Sequence, residues 1–219
     1  MLIKRLAAIV LAACMLTGAC LAEDLVMDAD NGEVSKDVFA ETETAGAPEI
    51  SAPSAILIEK TTGAVLYEKN DDQRLEPASV TKIMTILLIV EALEDGRLGI
   101  DEPITVSARA ASMGGSQIFL SEGETMSVRD MLKAIVVSSA NDAAVAMAER
   151  LCGTEEAFAA AMNARAEKLG MTNTVFLNAT GLLDQPEHLT TARDVSLMAR
   201  ELIRHDRSEE HTSELQSPQ

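Results

Sequence analysis

Aromatic residues are almost missing from this chain: four Phe, one Tyr and no Trp make up 2% of its 219 residues. At 47% hydrophobic content, the core must therefore be assembled from Leu, Ile, Val, Ala and Met rather than from rings. Basic residues are scarce too, with 18 Lys and Arg against 35 Asp and Glu and a formal charge of −17. Nothing supplies the basic stripe that a phosphate backbone requires, which excludes nucleic acid as a partner. Such acidity favours solubility and does not specify a fold. Of three cysteines, Cys14 and Cys20 lie in a leader-like segment. The remaining one, Cys152, excludes an internal disulfide framework and suits packing as a small apolar residue. His188, His205 and His211 show no metal-ligand spacing, and no helix pairs His with carboxylate at i, i+4. No metal and no cofactor is expected. His188 reads as a loop residue and His205 as a favourable cation near a helix C-terminus.

What is present falls into four stretches. Lys4 and Arg5 precede an apolar run from Leu6 to Leu16, followed by small residues. That is the layout of a secretory signal peptide, here 1–22, with a run too short to span a bilayer. Processing as a lipoprotein at Cys20 is the alternative, with Leu16 one residue too far upstream. Cleavage would make the charge two units more negative. Residues 23–52 carry nine acidic side chains against Lys36 alone, which predicts a disordered, charge-extended spacer. Residues 53–207 read as a folded domain. The stretch 208–219, from "SEEHTSELQSPQ", is polar and aperiodic and reads as a non-native or disordered tail.

Within the domain, "AILIE", "TTG" and "AVLYE" predict two short strands joined at Gly63. A lone hairpin is marginal, so these strands need support. Helices are predicted over 78–95, 127–138, 142–152, 154–169 and 191–205, with Gly96, Gly153 and Gly170 just past three of their ends. Ser127 and Asp130 make a capping-box-like start for the second. Later strand signals are short pieces such as "ITV" and "TVFL".

One helix poses a chemical question. In "LEPASVTKIMTILLIV", Ser79 and Lys82 stand three apart inside a long apolar run. Residues i and i+3 share a helix face, so hydroxyl and amine approach each other. The run is apolar nearly all round, which marks a central, buried helix. Burial and the positive helix end both disfavour the ammonium form, making Lys82 a candidate base for Ser79. A serine hydroxyl is a weak nucleophile until such a base takes its proton. Alone the motif is weak, because this composition yields about 0.5 Ser-x-x-Lys matches by chance. Ser139 and Asn141, in "VVSSANDAAVAMAE", are two apart and would face different sides of a continuous helix. A break between helices 127–138 and 142–152 would bring them to one direction. Alternatively Asn141 and Asp142 simply cap the next helix.

Taken together, "EPASVTKIMT", "GGSQIFLSEGE", "SSANDAAVAMAE", "MNARAEKLGMTNTVFLNATGL" and "TTARDVSLMARELI" resemble blocks of the low-molecular-weight serine penicillin-binding proteins, the D-alanyl-D-alanine carboxypeptidases, in that family's order over about 53–206. The resemblance implies an α+β fold of the β-lactamase/transpeptidase type, a helical cluster with an antiparallel sheet. Of that fold the chain would contain the N-terminal hairpin and the helical part. It implies Ser79 as acylated nucleophile, Lys82 as base, Ser139 as proton relay toward the leaving amine, and Asn141 as a substrate-amide holder that orients Lys82. The Ser79 N–H would supply half of an oxyanion hole. The implied partners are a peptidoglycan stem peptide ending in D-Ala-D-Ala and, as covalent inhibitors, β-lactams. The implied location is the periplasm or extracellular face of a bacterial envelope, with membrane association only through a C-terminal anchor that this sequence does not contain.

One departure is large. None of the seven lysines is followed by Thr-Gly, whereas the family carries a downstream Lys-Thr-Gly on a sheet strand. The chain is therefore expected to be a truncated version, inactive or barely active. Two rival readings compete. A class A β-lactamase would need Ser-Asp-Asn in place of "SAN" and a Glu where Thr174 stands. A non-catalytic peptidoglycan-binding envelope protein would suit the acidic spacer and the missing motif.

Overall fold

A computed structural model describes residues 49–182 and 186–205. The chain divides into two units, 1–51 and 52–219, and every described helix and strand belongs to the second. The signal-peptide reading, nearly all of the spacer and the 208–219 tail lie outside the described residues.

The expected hairpin forms from β1 (Ala55–Ile58) and β2 (Val65–Lys69), antiparallel with an irregularity after Leu57. Glu59 fastens its turn, accepting hydrogen bonds from the backbone N–H and the hydroxyl of Thr62 and from Thr61 N–H (2.9 Å). These bonds, the Thr61 backbone bond first, lower its carboxyl pKa to about 2. Arg200 of the last helix reaches the same turn, donating to Lys60 O (2.8 Å) and Thr61 O (2.7 Å). A helix thus gives the hairpin support, while Val65 and Leu66 on β2 remain exposed. A second antiparallel pair joins β3 (Pro103–Thr105) to β4 (Thr125–Ser127). The "ITV" signal points to β3. Its partner "TMS" is too short to show alternation.

The helices follow the sequence closely. A 3-10 turn (Ala78–Thr81) leads into α1 (Lys82–Glu94). The four-residue α2 (Ala108–Ala111) precedes α3 (Val128–Ser138), α4 (Asn141–Cys152), α5 (Glu155–Leu169) and α6 (Ala192–Arg204). Ser127, Thr154 and Thr191 cap α3, α5 and α6 by accepting from the N–H three residues on, which satisfies donors that a helix start leaves orphaned.

Helix α1 runs between two apolar clusters. Ile89, Ala92 and Leu93 join β3, α3 and α4 through Ile104, Val128, Met131, Ala143 and Met147. Met84, Leu87 and Val90 join α5 and α6 through Phe158, Met162, Met198 and Leu202. An all-round apolar helix is what a position between two clusters demands. Each fully buried Leu or Ile there contributes about 1.5–3 kcal/mol. Methionine and alanine fill much of this core as expected, but Phe158 and Phe176 are also among its largest fully buried side chains. Cys152 is half-buried and burial raises its thiol pKa, in keeping with a packing role.

Candidate active site

At the start of α1 the chain leaves an exposed serine directly above a buried lysine. Ala78 has φ +45 and opens the 3-10 turn. Ser79 is exposed, while Lys82, the first residue of α1, is 3% exposed. Lys82 Nζ lies 3.3 Å from Ser79 Oγ and donates to Thr180 O at 2.9 Å. Desolvation lowers its pKa from 10.5 to about 8. At pH 7 about one molecule in ten then carries a free amine, against about one in 3,000 at the ordinary value. The approach expected from i, i+3 spacing is present in the geometry, and burial moves the amine's pKa toward neutral without making the free base the major form at pH 7.

Ser79 lines a cleft of about 320 Å³ together with Ala78, Gly115, Ser116, Asn141, Thr180, Gly181 and Leu182, and Lys82 is buried behind the serine. One wall is the turn Asn178–Leu182. Asn178 Oδ1 shapes it, accepting from Thr180 N–H (3.0 Å), Thr180 Oγ1 (3.2 Å) and Gly181 N–H (2.7 Å). Gly181, at φ +74, approaches the backbone before the serine so closely that a Cβ there would fall 1.7 Å from Ala78 O. Only glycine fits.

The opposite wall comes from 114–120 and the α3–α4 break. Ser139 ends α3 at φ 53 and ψ 36, in the left-handed region, so the expected departure from helical geometry is real. Asn141 opens α4, 4% exposed, but does not cap it. Its amide instead donates to Gly114 O (2.8 Å), and its backbone N–H donates to Ser116 O (2.7 Å). A Cβ on Gly115 would meet that amide nitrogen at 2.9 Å. Asp142, fully buried, accepts from Ile118 N–H (3.1 Å) and Leu120 N–H (3.0 Å). Asn141 thus faces the serine's cleft, whereas half-buried Ser139 is not among the residues lining it.

Sequence reasoning missed the contribution of Thr180 and Gly181, and that of Gly115 and Ser116. "GGS" and "NATGL" are the glycine-bearing signals that mark them. Thr174, where a class A β-lactamase would need Glu, spends its hydroxyl on Thr190 and Asp194, each at 2.7 Å. Among the described residues, Glu91, Glu201 and His205 bring ligand atoms within 4.8 Å of one another. Arg165 already bridges both carboxylates at 2.7 Å, so that cluster is charge-compensated without an ion.

This arrangement of helices and small sheets is shared with solved penicillin-binding proteins. One is the D-alanyl-D-alanine carboxypeptidase DacD from Francisella tularensis (TM-score 0.72, 36% identity, covering 83% of this chain and 45% of that one). Another is penicillin-binding protein D2 from Listeria monocytogenes in its ampicillin-bound form (TM-score 0.67, 32% identity, 76% and 68%). The peptidase S11 family model, described as D-alanyl-D-alanine carboxypeptidase, matches residues 41–217, and the chain belongs to that family. Among curated relatives, the D-alanyl-D-alanine carboxypeptidase DacF of Bacillus subtilis is 53% identical over 155 residues, 71% of this chain and 40% of the relative. DacC of Escherichia coli is 40% identical over 179 residues, 79% and 44%. The chain spans less than half the length of these two relatives.

Proposed function

We propose that this chain carries the nucleophilic half of a serine-type D-Ala-D-Ala carboxypeptidase that trims peptidoglycan stem peptides through an acyl-enzyme on Ser79. The observation that carries the reading is the Ser79–Lys82 pair at 3.3 Å, with the amine buried and its pKa brought to about 8. The free amine of Lys82 takes the Ser79 proton as Oγ attacks the carbonyl of the penultimate D-Ala. The tetrahedral intermediate collapses, the peptide C–N bond breaks, and D-alanine leaves with the proton on its amine. Asn141, which lines the cleft, holds the substrate's amide, and Ser139, outside that lining, is the relay for that proton implied by the family resemblance. Water then cleaves the ester and returns Ser79. The Ser79 N–H supplies one oxyanion donor, and such a donor contributes on the order of 10²–10³ in rate.

β-Lactams would be attacked by the same hydroxyl and held as stable adducts. The basic–apolar–small layout of 1–22 supports export to the envelope, where the peptide substrate lies. The Ser79–Lys82 pair lies wholly within this chain, so acylation is the step to measure. Incubation with a fluorescent penicillin, followed by digestion and mass spectrometry, should place a slowly formed adduct on Ser79. An adduct on another residue, or turnover of a D-Ala-D-Ala peptide that survives Ser79→Ala, would sink the reading.

A further inference from the structure

His188 lies in a loop, yet it is 1% exposed and both ring nitrogens are engaged. Nδ1 accepts from Leu177 N–H at 3.2 Å, so the ring proton sits on Nε2 and donates to Thr81 Oγ1 at 2.9 Å. Phe176 packs edge-on against the ring, centroids 5.8 Å apart. These two bonds join segments far apart in sequence, and each segment holds one end of Lys82. Thr81 directly precedes Lys82 and fixes where its backbone leaves the 3-10 turn. Leu177 precedes the turn whose Thr180 carbonyl accepts from Lys82 Nζ. One helical turn on, Thr85 Oγ1 donates to Ala179 O at 2.7 Å. Thr81, Thr85 and Thr180 are all essentially buried.

A buried polar seam is costly unless every member is paired, and apolar residues would pack α1 at no such cost. Burial also lowers the His188 pKa, which keeps the ring in the neutral form that both bonds need. We propose that His188 is a positioning residue for the Lys82 amine, a strut that sets the distance between the start of α1 and the Thr180 carbonyl and keeps water from the amine. This rests on the reading of Lys82 as the proton acceptor for Ser79.

The test is the titration of Lys82 followed by NMR of 13C-labelled lysine side chains, in the full chain and without substrate. His188→Phe keeps a ring against Phe176 but removes both nitrogens. Its Lys82 midpoint should move up from about 8 toward 10.5, as water reaches the ammonium form. Penicillin acylation at pH 7 should fall about 10-fold, its pH profile moving by the same amount. His188→Gln, which retains a donor in reach of Thr81, and His188→Asn, which retains an acceptor for Leu177 N–H, should shift the midpoint less. A folded His188→Phe whose Lys82 midpoint stays put or moves down overturns the proposal. If that variant does not fold cooperatively, the Gln and Asn variants decide, and an unmoved midpoint in both overturns it. The outcome is separable from the function: a wild-type Ser79 that takes no penicillin defeats the carboxypeptidase reading, while the titration still answers for His188.

Discussion

The two walls of the cleft are built by different means. The Ser79 wall is tied by side-chain bonds over long sequence separations, with Lys82, Thr85 and Thr81 reaching Thr180 O, Ala179 O and His188. The Asn141 wall hangs on a carboxylate and on backbone: Asp142 gathers two amides of 114–120, and Asn141 closes on Gly114 and Ser116. The first wall sets a protonation state, because burial acts on an amine. The second sets shape, because its donors and acceptors are mostly main-chain groups whose charge does not change.

The contrast can be broken most severely at Ser79. Ser79→Ala should abolish the penicillin adduct, read by mass spectrometry of the digest. Lys82→Met comes next and should slow acylation by about 10²–10⁴ while leaving the protein folded. In the wild type, acylation should rise with pH through a midpoint near 8. The same depressed pKa makes stability pH-dependent. The unfolded chain holds the lysine proton up to about 10.5, whereas the folded one releases it near 8. The cost of burying the ammonium is thus fully present below pH 8. It is relieved between pH 8 and 10.5, by about 3 kcal/mol. Denaturant melts across that window should show stability rising with pH, and the rise should vanish in Lys82→Met.

Gly181→Ala should disturb the whole Ser79 wall, because the added Cβ would meet both the Ala78 carbonyl and, at 2.6 Å, Thr81 Oγ1. Displacing the Ala78 carbonyl by even 1 Å misplaces Ser79, with acylation lowered on the order of 10²-fold, and the Lys82 midpoint should move as well. On the other wall, Asp142→Ala should cost roughly 1–3 kcal/mol per amide left unpaired, visible as a lower melting temperature with the Lys82 midpoint unmoved. A shift of that midpoint would erase the distinction between the walls. Asp95→Ala, which removes an exposed pair with Arg97, should leave both melting and acylation unchanged.

Much of this was legible before any coordinates. The spacing of Ser79 and Lys82, the apolar surround of α1, and the capping-box-like start at Ser127 are patterns of near neighbours in the chain. The break at Ser139 also showed, as a gap between two helical patterns. Other features did not show. β4 is three residues long, too short for alternation. His188 read as an ordinary loop residue because nothing adjacent reveals that its ring is buried. Asn141 was expected to orient Lys82, yet its amide nitrogen is taken by Gly114 O, while the lysine's acceptor is a carbonyl 98 residues downstream.

The sequence by itself determined which side chains carry the chemistry and which elements bear them, since a hydroxyl, an amine and a helical period are properties of neighbours in the chain. Only the tertiary structure decided that the amine gives up its proton near pH 8 rather than near 10.5. That shift comes from desolvation, and burial arises only when segments distant in sequence meet.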